Sequence, residues 1–300
     1  RWSRRKTSTA SKAGNSVSRR VGILFGDQDN PFWQEQIRWY RMFLPEFPFE
    51  TRIFFPDPPR DANAQARLCA TLMGRGFDAL IVNPLDGAAL ATAAAEAGDT
   101  PLFDVGPKSD PVLASRVACY RPLTVCDFEE QGSLCARELT RAAKKRRRFA
   151  CVSGPAAARQ SAARVAGALA EARFRGAVQT RVERSDFTRA GGRAAMERLL
   201  PWQPDAVFCA NDLMALGACD VLASRGLELP VGGVDLIPEA LRAVADGRMT
   251  AGVGPLGSES VRGVLVAVRS YFATGCIPSG FIAKNHLVTR TSLLPEQQTS

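Results

Sequence analysis

Three stretches of this 300-residue chain set polar and aromatic side chains just beyond short apolar runs. Gly26-Asp27-Gln28-Asp29-Asn30-Pro31-Phe32-Trp33 follows the run Val21 to Phe25, Asn211-Asp212 follows Ala206 to Ala210, and Asp235 follows Val231 to Val234. Together they offer carboxylates that accept hydrogen bonds from hydroxyls, amides that donate and accept, and flat rings that cover C–H surface. A small polyhydroxylated ligand needs that mixture. The same residues also suit a purely structural reading, with Asn30 and Asn211 as turn or cap residues and Trp33 in a core.

These side chains can converge only if the backbone brings the stretches together. Apolar runs of strand length occur at 21–25, 52–55, 79–82, 101–105, 149–152, 178–182, 206–210, 231–234 and 249–253. Between them lie segments of helical spacing, such as Trp33, Ile37, Tyr40 and Leu44, or Leu213 to Ser224 behind the cap-like pair Asn211-Asp212. Buried runs that alternate with helices predict an α/β fold with parallel sheets covered on both faces. Ligands of such sheets bind beyond the carboxyl ends of the strands, where the three stretches fall.

Composition narrows the function classes. With 46% hydrophobic and 23% charged residues the chain is ordinary globular protein, and it is long enough for two lobes with separate cores. No run approaches the roughly eighteen apolar residues of a membrane helix. The chain opens on Arg1, so an export leader, a lipid-anchored leader or a DNA-binding headpiece is expected to have preceded it. Of the net charge of +9, seven cations lie within residues 1–20, which read as a flexible basic tail, and five form the run Lys144 to Arg148. Without them the body is mildly acidic, and the run reads as a solvated helix C-terminus rather than a nucleic-acid patch. The eight cysteines include no C-x-x-C pair, which argues against zinc and dithiol chemistry and suits small buried residues in a reducing compartment. Gly252-Val253-Gly254-Pro255-Leu256-Gly257 has the G-x-G-x-x-G form, but no acid follows at the distance a dinucleotide site requires. His286, the single histidine, has no evident nucleophile or metal-ligating partner. Neither catalysis nor a cofactor is expected.

In their order and spacing, five segments resemble a known family. They are Asp29-Asn30-Pro31-Phe32-Trp33, Ile81-Val82-Asn83-Pro84-Leu85-Asp86, Ser153-Gly154-Pro155, Pro204 to Gly217, and Gly233-Val234-Asp235-Leu236-Ile237-Pro238-Glu239-Ala240. The family is that of the type I periplasmic binding proteins of the ribose-binding kind, with the related effector domains of lactose-repressor-like regulators. The resemblance covers about residues 21 to 294 and implies two Rossmann-like lobes with parallel sheets, joined by a hinge of three crossings near Cys126, Pro255 and Asn285. One lobe would comprise 21–126 and 256–285, the other 127–255 and 286–294. A sugar or polyol would be held between them by Asn30, Phe32 and Trp33 from the first lobe and by Phe187, Asn211 and Asp235 from the second.

Some positions depart from that pattern. Where the family carries an Asp-Arg pair after the fourth strand, this chain reads Val105-Gly106-Pro107-Lys108, which makes Lys108 the candidate there. The arginine expected early in the helix after Ser153-Gly154 aligns with Ala162, leaving Arg159 or Arg164 as its substitute, with Arg159 placed among the candidates. The glutamine expected at the second crossing falls on Pro255. The resemblance allows two uses of one fold. The first is an exported receptor, periplasmic or extracellular, that passes its ligand to an ABC-type membrane transporter or a sensor. The alternative is a cytoplasmic effector domain that reaches DNA through a headpiece. The Asn30-Pro31-Phe32-Trp33 and Val82-Asn83-Pro84-Leu85-Asp86 segments favour the receptor.

Overall fold

The computed structural model describes residues 18–106, 111–123, 126–145, 147–276 and 283–293. The expected tail as far as residue 17, and Lys108, lie outside them. Two sheets organise the chain. Strands β1 (Arg19–Leu24), β2 (Phe49–Phe54), β3 (Ala79–Val82), β4 (Leu102–Asp104) and β5 (Tyr120–Pro122) form a parallel sheet in the order β2-β1-β3-β4-β5. The second sheet is built from β6 (Arg148–Ser153), β7 (Gln179–Arg184), β8 (Ala206–Cys209), β9 (Val231–Val234), β10 (Ala251–Pro255) and β11 (Asn285–Thr289). Its order is β11-β10-β9-β8-β6-β7, parallel except for the edge strand β11.

Helices α1 (Pro31–Phe43), α2 (Ala62–Met73), α3 (Gly87–Ala97) and α4 (Pro111–Arg116) belong to the first sheet's part of the chain. The second sheet's part holds α5 (Phe128–Ala142), α6 (Arg159–Phe174), α7 (Arg189–Leu199), α8 (Asp212–Ser224) and α9 (Pro238–Ala245). After β10 the long helix α10 (Gly257–Thr274) packs back on α1, and α11 (Arg290–Leu293) closes the described chain. The chain therefore passes between the sheets after Pro122, again at Pro255 to Gly257, and a third time between Thr274 and Asn285. The G-x-G-x-x-G segment is the second of these passages, running from β10 into α10.

Strand periodicity explains why each sheet is covered twice. Val21, Ile23, Ala79 and Ile81 join a core with α1 and α10, whereas Leu24, Leu80, Val82 and Leu102 join one with α2 and α3. Alternate side chains of one strand point to opposite faces, so an uninterrupted apolar run is a strand buried on both. A single larger core surrounds the second sheet. Polar residues at the strand ends then start the helices: the side chains of Asn30, Asp61, Asp86, Asp127, Thr188 and Asn211 each accept from a backbone N–H in the first turn that follows. Each such cap contributes about 1 kcal/mol.

Three local expectations are corrected. Arg19 and Arg20 belong to β1 rather than to a tail: Asp78 accepts from the Arg19 guanidinium at 2.9 Å and from the Arg20 N–H at 2.7 Å. The basic run does not end a helix, because α5 stops at Ala142 and Arg148 opens β6, with the Arg147 and Arg148 N–H groups donating to Asp205 Oδ2. Strand β5 was not anticipated. Only Tyr120 of its three residues is buried.

Candidate ligand-binding cleft

Between the two sheets lies a cavity of about 400 Å³ whose wall draws on both parts of the chain. From the first come Phe25, Asp27, Asn30, Phe32, Trp33 and Asn83; from the second come Phe128, Gln160, Arg164, Phe187, Asn211 and Asp235. Six of the eight residues singled out in the sequence thus meet at one cavity. Arg159 is exposed at the start of α6 and is not among the wall residues, and Lys108 lies outside the described residues.

The aromatic side of the wall is built by α1. Asn30 caps this helix by accepting from Phe32 N–H at 2.9 Å, and the first turn that it starts presents Phe32 and Trp33 to the cavity. The Phe32 and Trp33 rings meet edge to face with centroids 4.6 Å apart, and Trp33 leans on Phe25 at 5.4 Å. On the opposite side Phe187 occupies the left-handed region at φ +67°, a conformation that costs an ordinary residue roughly 1–3 kcal/mol. Its ring covers Gly154, where an added Cβ would sit 2.1 Å from the Phe187 ring, so only glycine admits it. Asn211 holds the same loop: its Nδ2 donates to Phe187 O at 3.0 Å while its Oδ1 caps α8 through Met214 N–H at 3.0 Å. Asn30 and Asn211 therefore cap their helices while also lining the cavity.

The polar side is centred on Arg164. Its Nε donates to Gln131 Oε1 at 2.7 Å, one terminal nitrogen donates to Ala210 O at 2.8 Å, and the other to Asp235 Oδ1 at 3.1 Å. The Arg164 and Asp235 side chains are only 10% and 13% exposed, so this is a largely desolvated pair. Removing either partner from such a pair strands a buried charge, at about 3–5 kcal/mol. Asp235 is therefore a framework residue as well as a wall residue, which the sequence reading did not anticipate. Asp235 and Leu236 also have positive φ values, +125° and +57°, so the end of β9 is held in strained backbone beside the cavity. Gln131 passes the network to the third crossing by donating to Asn285 Oδ1 at 3.0 Å.

Both arginines of the described wall are paired with carboxylates, and its third carboxylate is held by hydrogen bonds. Arg60 binds Asp27, Arg164 binds Asp235, and Asp186 accepts from Thr188 and Ser185. Burial works to raise the Asp186 pKa, yet these hydrogen bonds leave it lowered. The Cys126 thiol in the wall is pushed up to about 11 by burial, so it stays protonated at neutral pH and is a poor nucleophile. Among the described residues no His, Cys, Asp and Glu cluster could hold a metal ion, and no helix is long and apolar enough to cross a membrane.

Arg164 was one of two substitutes left open by the sequence, and helical spacing distinguishes them. Ser161, Val165, Ala168 and Ala172 form the buried stripe of α6, and Arg164 lies on it whereas Arg159 does not. Gln131, Gln160, Arg60 and Ser260 carried no comparable signal, since they reach the cavity from helices or loops remote from the strand-end stretches.

Known proteins share this architecture. A periplasmic solute-binding protein of an ABC transporter from Actinobacillus succinogenes, solved with bound D-allose, superposes with a TM-score of 0.84 at 20% identity, covering 91% of this chain and 98% of that one. The ribose import binding protein RbsB of Bacillus subtilis is 27% identical over 247 residues, or 81% of this chain and 78% of that protein. A shorter segment of 51 residues is 47% identical to the transcriptional repressor CytR of Escherichia coli, covering 16% of this chain and 15% of the repressor. The periplasmic binding protein domain matches residues 21–258, from the first strand through the crossing at Pro255. A match that takes in the first sheet, all of the second but its edge strand β11, and two of the three passages between them is not a local likeness, and on it the chain belongs to the periplasmic binding protein family.

Proposed function

We propose that this protein is a solute-binding receptor that captures a neutral sugar or polyol between two lobes, outside the cytoplasmic membrane, and presents it to an ABC-type importer. The lobes divide near Cys126, Pro255 and Asn285. Asn30, Phe32 and Trp33 contact the ligand from one side and Phe187, Asn211 and Asp235 from the other. The observation that carries this reading is a cleft walled by aromatic rings from both lobes, in which each arginine of the described wall is paired with a carboxylate. Such a wall stacks on C–H faces and hydrogen-bonds hydroxyls but leaves no cation to neutralise an anionic ligand. The relative named for ribose import and the neighbour solved with D-allose support the same ligand class. No catalytic role is assigned to it.

Titration calorimetry with D-ribose, D-allose and myo-inositol tests the proposal. At least one should bind, and at about one hundred times its dissociation constant it should stabilise the protein by about 2.7 kcal/mol. Silence from all three, with tight binding of a sugar phosphate instead, would refute the neutral-ligand reading. The segment shared with a repressor favours one other use, an effector domain that acts on DNA through a headpiece. Reading the codons upstream of Arg1 separates the two: an apolar leader supports the receptor, and a helix-turn-helix supports the regulator.

A further inference from the structure

Among the described residues, two polar atoms in the cleft wall are buried without a hydrogen-bond partner, Gln160 Oε1 and Ser260 Oγ. Folded proteins rarely leave such atoms orphaned, because each has given up water for nothing in return. A third orphaned atom, Asp212 Oδ1, belongs to a residue outside the cavity wall. The first two share the wall and come from opposite sides of the cleft. Gln160 stands in the first turn of α6, on the second sheet's side, and Ser260 stands at the start of α10, on the first sheet's side. Ser260 is only 8% exposed, so bulk water does not satisfy its hydroxyl.

We propose that Gln160 and Ser260 are two further ligand contacts, one from each lobe, that read hydroxyl groups on a neutral ligand. Gln160 Oε1 accepts from one hydroxyl, and Ser260 Oγ donates to or accepts from another. This rests on the sugar-or-polyol reading above. It is consistent with the wall's chemistry, because an amide oxygen and an alcohol add hydrogen-bonding capacity without adding charge. Ala162 and Pro255, where the resemblance expects an arginine and a glutamine, have no side-chain hydrogen-bonding group. Gln160 lies two residues from the first and Ser260 five from the second. Because the two contacts lie on different lobes, both can be made only when the lobes are closed, so they favour the closed population as well as the ligand's orientation.

The test titrates D-ribose, D-allose and myo-inositol into the parent, Gln160→Met, Ser260→Ala and the double variant, and records the melting temperature of each protein without ligand. For the probe that binds the parent best, each single change should weaken binding by roughly five- to a hundredfold. Ligand-free melting temperatures should stay level or rise, since each change removes an orphaned polar group. If the parent binds a probe and both variants bind it equally well, this inference is overturned and the receptor function stands. A drop of several degrees in either ligand-free variant would show that the polar atom holds the fold together, which also overturns it. If the parent binds none of the three probes, the functional reading fails first and takes this inference with it.

Discussion

At the residue scale, Asp212 shows that a carboxylate next to a binding cleft can serve the fold instead of the ligand. It begins α8 with 0% exposure, its Oδ2 accepts from Ile237 N–H at 2.9 Å, and its Oδ1 has no partner among the described residues. Burial first, and the neighbouring Asp235 second, push its pKa from 3.8 up to about 8. The raised pKa favours the protonated form in the folded chain, which therefore holds this proton more tightly than the unfolded chain does. Its contribution to stability is fully present below the unfolded value of 3.8 and is lost as the pH rises towards about 8. Asp212→Asn removes the titration while keeping an oxygen for Ile237. The variant should gain on the parent between pH 5 and pH 8, by no more than about 1.4 kcal/mol for each pH unit. Urea titrations across that range check it, and parallel pH profiles for the two proteins would show that Asp212 ionises normally.

At the scale of elements, the site depends on how closely α5 and α6 approach. An added Cβ on Gly132 would lie 1.8 Å from Arg164 O, so glycine lets α5 touch the backbone of α6 and brings Gln131 to Arg164. In an isolated helix Gly→Ala stabilises by up to about 1 kcal/mol. Here Gly132→Ala should instead destabilise by about 1–3 kcal/mol and displace Arg164 from Asp235. Thermal and chemical unfolding decide the sign, and a more stable variant would mean that the two helices separate without cost. The elements themselves were largely legible in the sequence, because a strand buried on both faces must be a continuous apolar run. Strand β5 was not, since Tyr120-Arg121-Pro122 lies at a sheet edge and buries one side chain. The wall residues after β1, β8 and β9 were legible for the same geometric reason, as strand ends in a parallel sheet face the cleft. Arg60, Gln131, Gln160 and Ser260 were hidden because their positions follow from tertiary contacts across long sequence separations, such as the 154 residues between Gln131 and Asn285. Arg159 and Arg164 were both left open, although the helical period of Ser161, Val165 and Ala168 puts only Arg164 on the buried stripe of α6.

At the scale of the whole molecule, one aromatic side chain joins the two sheets across the cleft. Phe32 is carried by α1, yet it packs partly buried against the core cluster of the second sheet. A side chain bridging two lobes contributes only while they are together, so under the proposed function Phe32 would bias the equilibrium between open and closed forms in addition to its proposed ligand contact. On the same proposal, ligand would supply the rest of the bias through contacts made only in the closed form. Small-angle scattering should therefore give a smaller radius of gyration for the protein saturated with its best-binding sugar or polyol than for the ligand-free protein. Phe32→Ala removes the bridging ring without altering either sheet. It should lower affinity by about tenfold or more, in part because the competent population falls. At a ligand concentration that closes the parent, the variant should keep the larger radius, and more ligand should restore the smaller one. Trp33→Ala is the comparison, because Trp33 packs on the core of its own sheet and its removal should weaken binding without changing the radius of the ligand-free protein. Equal radii with and without ligand in the parent would mean that the lobes do not move, and that Phe32 acts only as part of a fixed wall.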